Sequence, residues 1–66
     1  MILVNDRDKI KWYEGITVQD ILNQLNWTYP LITVSVDGEI IPKEDYDTFI
    51  VNDNSQISVF HLAHGG

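Results

Sequence analysis

The sequence predicts an α+β fold in which one helix packs across one face of a mixed five-stranded sheet. Three observations predict it: one amphipathic helical segment, period-two alternation on both sides of that segment, and two hairpin signals. Consecutive hairpins around a single helix bury their apolar sides together as one helix layer on one sheet layer. At 66 residues the chain is predicted to be a single domain, 1–66, with a flexible tail at 63–66.

The first two strands are predicted to form a hairpin. Ile2 to Asn5 is apolar and β-branched, whereas Lys9 to Trp12 alternates polar and apolar residues. Between them, Asn5 to Asp8 is typical of a turn, in which short side chains bond their own backbone.

The helix is predicted to begin after Thr17. The Thr17 hydroxyl is placed to accept a free backbone N–H, and Asp20 completes a capping box. Asn26 and Pro30 provide stop signals, so we expect about ten helical residues. Four apolar residues share one helical face: Val18, Ile21, Leu22 and Leu25.

A second hairpin is predicted after the helix. Ile32 to Asp37 alternates apolar and polar residues, and Asp37-Gly38 is a strong two-residue turn signal because glycine tolerates positive φ. Glu39 to Ile41 returns as a short strand that Pro42 ends.

The last third of the chain is predicted to hold a short helical turn within 42–49, a polar turn at 52–55 and a final strand from Gln56 to Leu62. The connection through the helix is long enough for the first and last strands to pair in parallel at the centre of the sheet.

Composition excludes several kinds of partner and chemistry. A formal charge of −6 disfavours nucleic acid and anionic membranes and favours a basic protein partner, although solubility alone would also explain it. The absence of cysteine removes thiolate metal sites and a Cys nucleophile. His61 and His64 point apart on a strand and its tail, so no metal site is expected. With neither a signal peptide nor a membrane span in the sequence, we expect a cytoplasmic location.

The strongest functional signal is the end of the chain, Gly65-Gly66. Glycine lacks Cβ, so two glycines can enter a narrow cleft and bring a terminal carboxylate to a bound nucleotide. The alternative interpretation is an ordinary frayed terminus rich in small residues.

The strand order, the length and the diglycine together resemble the ubiquitin-like sulfur carriers of the β-grasp fold. The segment from Val36 to Tyr46 (VDGEIIPKEDY) resembles the hairpin and Val-Pro-Arg region of the ThiS family, and Ile50 to Ile57 resembles the turn entering that family's last strand. The chain departs from the usual pattern at Lys43, Tyr46 and Asn54-Ser55.

The resemblance implies a carrier without catalytic residues or bound cofactors. A ThiF-like adenylyltransferase would use ATP and Mg to adenylate the carboxylate of Gly66. Sulfur from a persulfide donor, such as a cysteine desulfurase, would replace AMP and give a thiocarboxylate. A ThiG-like thiazole synthase would then accept that sulfur for the thiazole ring of thiamine. On its own, the carrier is expected to be a monomer.

A partner-binding surface is predicted beside the tail. If Ile57 and Val59 face the helix, alternation leaves Phe60 and Leu62 on the opposite face, where they form a docking patch or simply cover the sheet. The predicted partner-binding residues are Phe60, Leu62, Ala63 and His64, although a solvated His64 fits equally well. Two other functions share the pattern: a MoaD-like small subunit of molybdopterin synthase and a ubiquitin-like protein modifier.

Overall fold

The computed structural model describes residues 1–27 and 32–61. The predicted helix stop at Pro30 and the predicted strand end at Leu62 lie outside these ranges. Within them the chain forms, in order, β1 (Ile2–Val4), β2 (Asp8–Ile10), α1 (Val18–Gln24), β3 (Ile32–Val36), β4 (Glu39–Ile41), a 3₁₀ turn (Lys43–Asp45) and β5 (Gln56–His61). This is the predicted order of elements.

The five strands form one mixed sheet in the order β2-β1-β5-β3-β4. β1 pairs antiparallel with β2 and parallel with β5, and β3 pairs antiparallel with both β4 and β5. The first and last strands therefore meet in parallel at the centre, as the sequence predicts, with one hairpin on each side.

Local signals account for the turns. Asp37 and Gly38 have φ of 50° and 88°, the positive values that a two-residue hairpin requires. Asn5 and Asp6 both have φ of 55°, and the Arg7 N–H donates to the Val4 carbonyl at 3.1 Å. Because this turn begins at residue 5, β1 ends at Val4, one residue before the predicted end.

The helix has the predicted cap but is shorter than predicted. The Asp20 N–H donates to Thr17 Oγ1 at 3.2 Å and the Thr17 N–H to Asp20 Oδ2 at 3.0 Å, which completes the capping box. Asn26 adopts φ of 58°, consistent with its role as a stop signal, and the seven-residue helix ends at Gln24 rather than after about ten residues.

The core lies between the helix and one face of the sheet. Side chains of all five strands enter it alternately, and the segment that follows the 3₁₀ turn closes one side through Tyr46 and Val51. The buried apolar residues are Ile2, Val4, Ile10, Ile16, Val18, Ile21, Leu22, Val34, Val36, Ile41, Tyr46, Val51, Ile57 and Val59. Across residues 1–27 and 32–61, no helix is long and apolar enough to cross a membrane.

Candidate functional site: the last strand and the outer face of the sheet

The strand that leads to the C-terminal residues is held from both sides. Five residue pairs join β5 to β3, from Ile32 opposite His61 to Val36 opposite Ile57. On the other side, the Leu3 N–H donates to the Ser55 carbonyl at 3.1 Å and the Asn5 N–H to the Ile57 carbonyl at 2.8 Å. β5 is thus the central strand, and residues 62–66 follow directly from it.

Past the end of β1, a side chain continues the contact with β5. Asn5 Oδ1 accepts a hydrogen bond from the Val59 N–H at 2.8 Å, and Asn5 Nδ2 donates to the Val59 carbonyl at 3.3 Å. The sequence predicted turn chemistry at Asn5 and a bond to its own local backbone. The turn is confirmed. The predicted partner of the side chain is wrong, because Asn5 bonds a strand residue 54 positions away.

Alternation along β5 separates the core from the opposite side of the sheet, which we call the outer face. Ile57 and Val59 are 2% and 4% exposed on the helix side, whereas Phe60 is 58% exposed on the outer face. Phe60 lies opposite Thr33, and Ser58 opposite Ser35. A large aromatic side chain therefore stands beside small polar neighbours, one residue before the end of β5.

A second exposed apolar residue, which the sequence analysis missed, lies on the same face. Ile40 is opposite Ser35 on β4 and is 67% exposed. Ile40 is two strands across the sheet and two residues along it from Phe60, so their Cα atoms are about 12 Å apart. The signal was available in Glu39-Ile40-Ile41, because adjacent apolar residues on a strand must face opposite sides. Phe60 and Ile40, with Thr33 and Ser35 between them, form what we call the outer patch.

The remaining predicted site residues lie outside the described ranges: Leu62, Ala63, His64, Gly65 and Gly66. Their roles in partner binding and sulfur carriage stay predictions. Gly66 is six residues beyond Phe60, so a fully extended segment would carry it at most about 20 Å from the outer patch. A partner that contacts the patch can therefore also hold the terminal carboxylate.

Two titratable groups with shifted pKa values lie away from this face. The hydrogen bond from the Met1 ammonium lowers the pKa of Asp53, in the turn before β5. Partial desolvation raises the pKa of Tyr13, and its interaction with the Asp20 carboxylate raises it further. Both shifts belong to contacts within the fold rather than to the outer patch.

A cleft lies between the β1–β2 turn and the end of α1. Its lining residues are Arg7, Asp8, Leu25, Asn26 and Trp27. Arg7 and Asp8 are its charged groups, and their nearest charged atoms are 4.0 Å apart. Hydrolysis by paired carboxylates needs two acids flanking one bond. The described lining contributes one.

Comparisons with known proteins agree with this architecture. The sequence matches the ThiS family over residues 1–66. It is 32% identical over 65 residues to the sulfur carrier protein ThiS of Escherichia coli strain K12, covering 98% of this chain and 97% of that protein. A crystal structure of a thiamine biosynthesis protein (ThiS) from Geobacter metallireducens superimposes with a TM-score of 0.79 at 24% identity, covering 98% of this chain and 97% of that one.

The fold and the site define a β-grasp protein of the ubiquitin-like kind, in which a central last strand leads out to the C-terminal residues beside an exposed apolar patch. The structural likeness supports this fold. The full-length family match and the relative at 32% identity go further, and the chain belongs to the ThiS family of sulfur carriers. This membership favours the ThiS interpretation over the molybdopterin synthase subunit that shares the pattern.

Proposed function

We propose that this protein carries sulfur for synthesis of the thiazole ring of thiamine, on the carboxylate of Gly66. The observation that carries the proposal is that the central strand of a ThiS-family fold leads directly to Leu62-Ala63-His64-Gly65-Gly66. A strand bonded on both sides is a rigid base, and two residues without side chains suit a narrow enzyme channel.

A carboxylate must first be activated, because its oxygens are poor leaving groups. In the proposed cycle a ThiF-like adenylyltransferase joins the Gly66 carboxylate to AMP and releases pyrophosphate from ATP, with Mg balancing the phosphate charge. A persulfide sulfur then attacks the acyl carbon and displaces AMP. A thiol cleaves the resulting S–S bond, which leaves a thiocarboxylate on Gly66 and a disulfide on the donor side.

The chain acts in this cycle as a substrate rather than as an enzyme. The nucleotide and the metal belong to the adenylyltransferase, and the sulfur comes from a persulfide donor such as a cysteine desulfurase. A ThiG-like thiazole synthase takes the sulfur from the thiocarboxylate. We place the cycle in the cytoplasm.

We assign docking to the outer patch together with Leu62, Ala63 and His64. What supports this is the exposure of Phe60 and Ile40, 58% and 67%, on the outer face of the sheet whose central strand leads to residues 62–66. Aromatic residues are enriched at protein interfaces, and exposed apolar patches rimmed by polar residues mark interaction sites.

The test is mass spectrometry after incubation with a ThiF-like adenylyltransferase, MgATP and a persulfide donor. We expect one oxygen of the C-terminal residue to be exchanged for sulfur. Oxidation of Met1 adds nearly the same mass, so the protein is digested with trypsin. Trypsin cleaves after lysine and arginine, and Lys43 is the last of these in the sequence. The C-terminal peptide is therefore 44–66, which contains no methionine.

The matched control is a chain that lacks Gly66, which should remain unmodified under the same conditions. An unchanged peptide 44–66 in the full-length chain would falsify the carrier proposal. Gly66-dependent conjugates of higher mass would instead indicate a protein modifier.

A further inference from the structure

The contact between Asn5 and Val59 lies where β5 loses its neighbouring strand. β1 ends at Val4, and the turn that follows leads the chain away from β5. By the alternation of the ladder, Val59 directs its N–H and C=O towards the β1 side, as Ile57 directs its C=O to the Asn5 N–H. Without a partner there, the peptide groups of a strand residue that is 4% exposed would be unpaired.

The Asn5 side chain replaces the missing strand. A carboxamide carries one acceptor oxygen and an N–H donor group, as a peptide unit does, and here it bonds both polar groups of Val59. Asparagine also tolerates the left-handed conformation of residue 5, φ 55°. Few residue types meet both requirements: aspartate lacks the donor and glycine lacks both groups.

We propose that Asn5 is a positioning residue for the carrier cycle, whose side-chain amide fixes the direction in which β5 delivers residues 62–66 to the adenylating enzyme. The inference rests on the proposed function. It adds a role for a residue that is remote in sequence from the C-terminal segment.

The physical consequence concerns binding rather than chemistry. If the end of β5 is mobile in the free protein, it must become ordered when the partner binds. The conformational entropy lost in this step weakens binding. Once the carboxylate is in the partner's site, the partner supplies the groups that act on it. Loss of the amide should therefore raise KM for the carrier and leave kcat nearly unchanged.

The experiment compares Asn5→Gly with Asp6→Gly. Both replace a residue at φ 55° in the same turn by glycine, but only the first removes the two bonds to Val59. In the isolated proteins, we expect amide exchange at Val59 to be about tenfold faster in Asn5→Gly and nearly unchanged in Asp6→Gly. This measurement requires no partner.

With the adenylyltransferase, ATP–pyrophosphate exchange is measured against carrier concentration. We expect Asn5→Gly to raise KM about three- to tenfold with kcat within about twofold of the native value. Asn5→Asp keeps the acceptor for the Val59 N–H and should give a smaller increase. It also serves as the test variant if Asn5→Gly does not fold.

A control separates positioning from general loss of stability. Thr17→Ala removes the cap at the start of α1, whereas the β1–β2 turn lies near the end of that helix. This variant should lower the free energy of unfolding without raising KM. An equal rise in KM in Thr17→Ala, or unchanged exchange at Val59 in Asn5→Gly, overturns the proposal. If the native chain is not adenylated, the proposed function fails and the delivery role fails with it, whereas the exchange result still decides whether Asn5 holds the strand.

Discussion

Phe60 and Ile50 have similar exposed fractions, 58% and 52%, but occupy different parts of the molecule. Phe60 lies on the outer face, next to the last residue of β5. Ile50 forms an isolated bridge with Thr17, beside the start of α1. The pair therefore separates the effect of an exposed apolar side chain from the effect of its position.

We expect Phe60→Ser to raise KM for adenylation about tenfold, equivalent to about 1.4 kcal/mol of lost binding, because the proposed docking surface loses its aromatic side chain. The matched variant Ile50→Ser should leave KM within about twofold. Steady-state kinetics against carrier concentration measures both. An equal effect of the two substitutions would show that the outer patch is not the docking surface.

At single residues, the sequence predicted what local chemistry decides and missed what distant partners decide. The Thr17–Asp20 capping box and the Asp37-Gly38 turn depend on neighbours within three residues, and both are confirmed. The bonds from Asn5 to Val59 depend on a strand 54 residues later. No local pattern around Asn5 reveals that strand.

At the scale of one element, α1 is too short to be stable alone. Seven residues provide few internal hydrogen bonds, and isolated helices shorter than about 12 residues are marginal. The segment after the 3₁₀ turn supplies partners: the Val18 N–H donates to the Phe49 carbonyl at 3.2 Å and the Gln19 N–H to the Tyr46 carbonyl at 2.7 Å. The cap and this segment together satisfy the N–H groups of the first turn.

We expect Thr17→Ala to lower the free energy of unfolding by about 1 kcal/mol, since it removes the side-chain half of the capping box. The control is Thr48→Ala, where an exposed hydroxyl donates to the Asp45 carbonyl at 3.3 Å outside any helix cap, and a change within about 0.5 kcal/mol is expected. Urea unfolding followed by circular dichroism measures both. Equal losses in the two variants would contradict a special role for the cap.

The order and type of the elements were predictable because each hydrophobic pattern is local, but their ends were not. The second strand was predicted as Lys9 to Trp12 and is Asp8–Ile10. Trp12 lies beyond the strand, and its indole N–H donates to the Val51 carbonyl at 2.8 Å. The partner of that bond is 39 residues away, so a tertiary contact overrode the local alternation at this end.

At the scale of the whole molecule, the formal charge of −6 is unevenly distributed along the chain. Residues 37–47, around the edge strand β4, contain five acids and one lysine. Residues 7–11, around the opposite edge strand β2, contain three of the four basic residues and one acid. A basic partner would therefore be attracted towards the β4 side of the sheet, which also contains Ile40.

We expect Glu44→Gln/Asp47→Asn to lower kcat/KM for adenylation about threefold at low salt, by slowing encounter with the partner. The control pair Asp6→Asn/Glu14→Gln also changes the formal charge from −6 to −4 and should have a smaller effect. The difference between the two pairs should disappear near 0.5 M salt. The Debye length is then only about 4 Å, so charges on the two proteins are largely screened from each other. Equal effects of the two pairs would show that net charge matters and its location does not.

The position of β5 between β1 and β3 has a consequence for biosynthesis on the ribosome. Before residues 56–61 are available for pairing, the nascent chain can form only two separate hairpins, and isolated two-stranded hairpins are marginally stable in water. The sheet can close only after β5 has been synthesised. Prematurely terminated products lacking this strand would remain unfolded and open to proteolysis, so they would not accumulate as folded chains without residues 62–66.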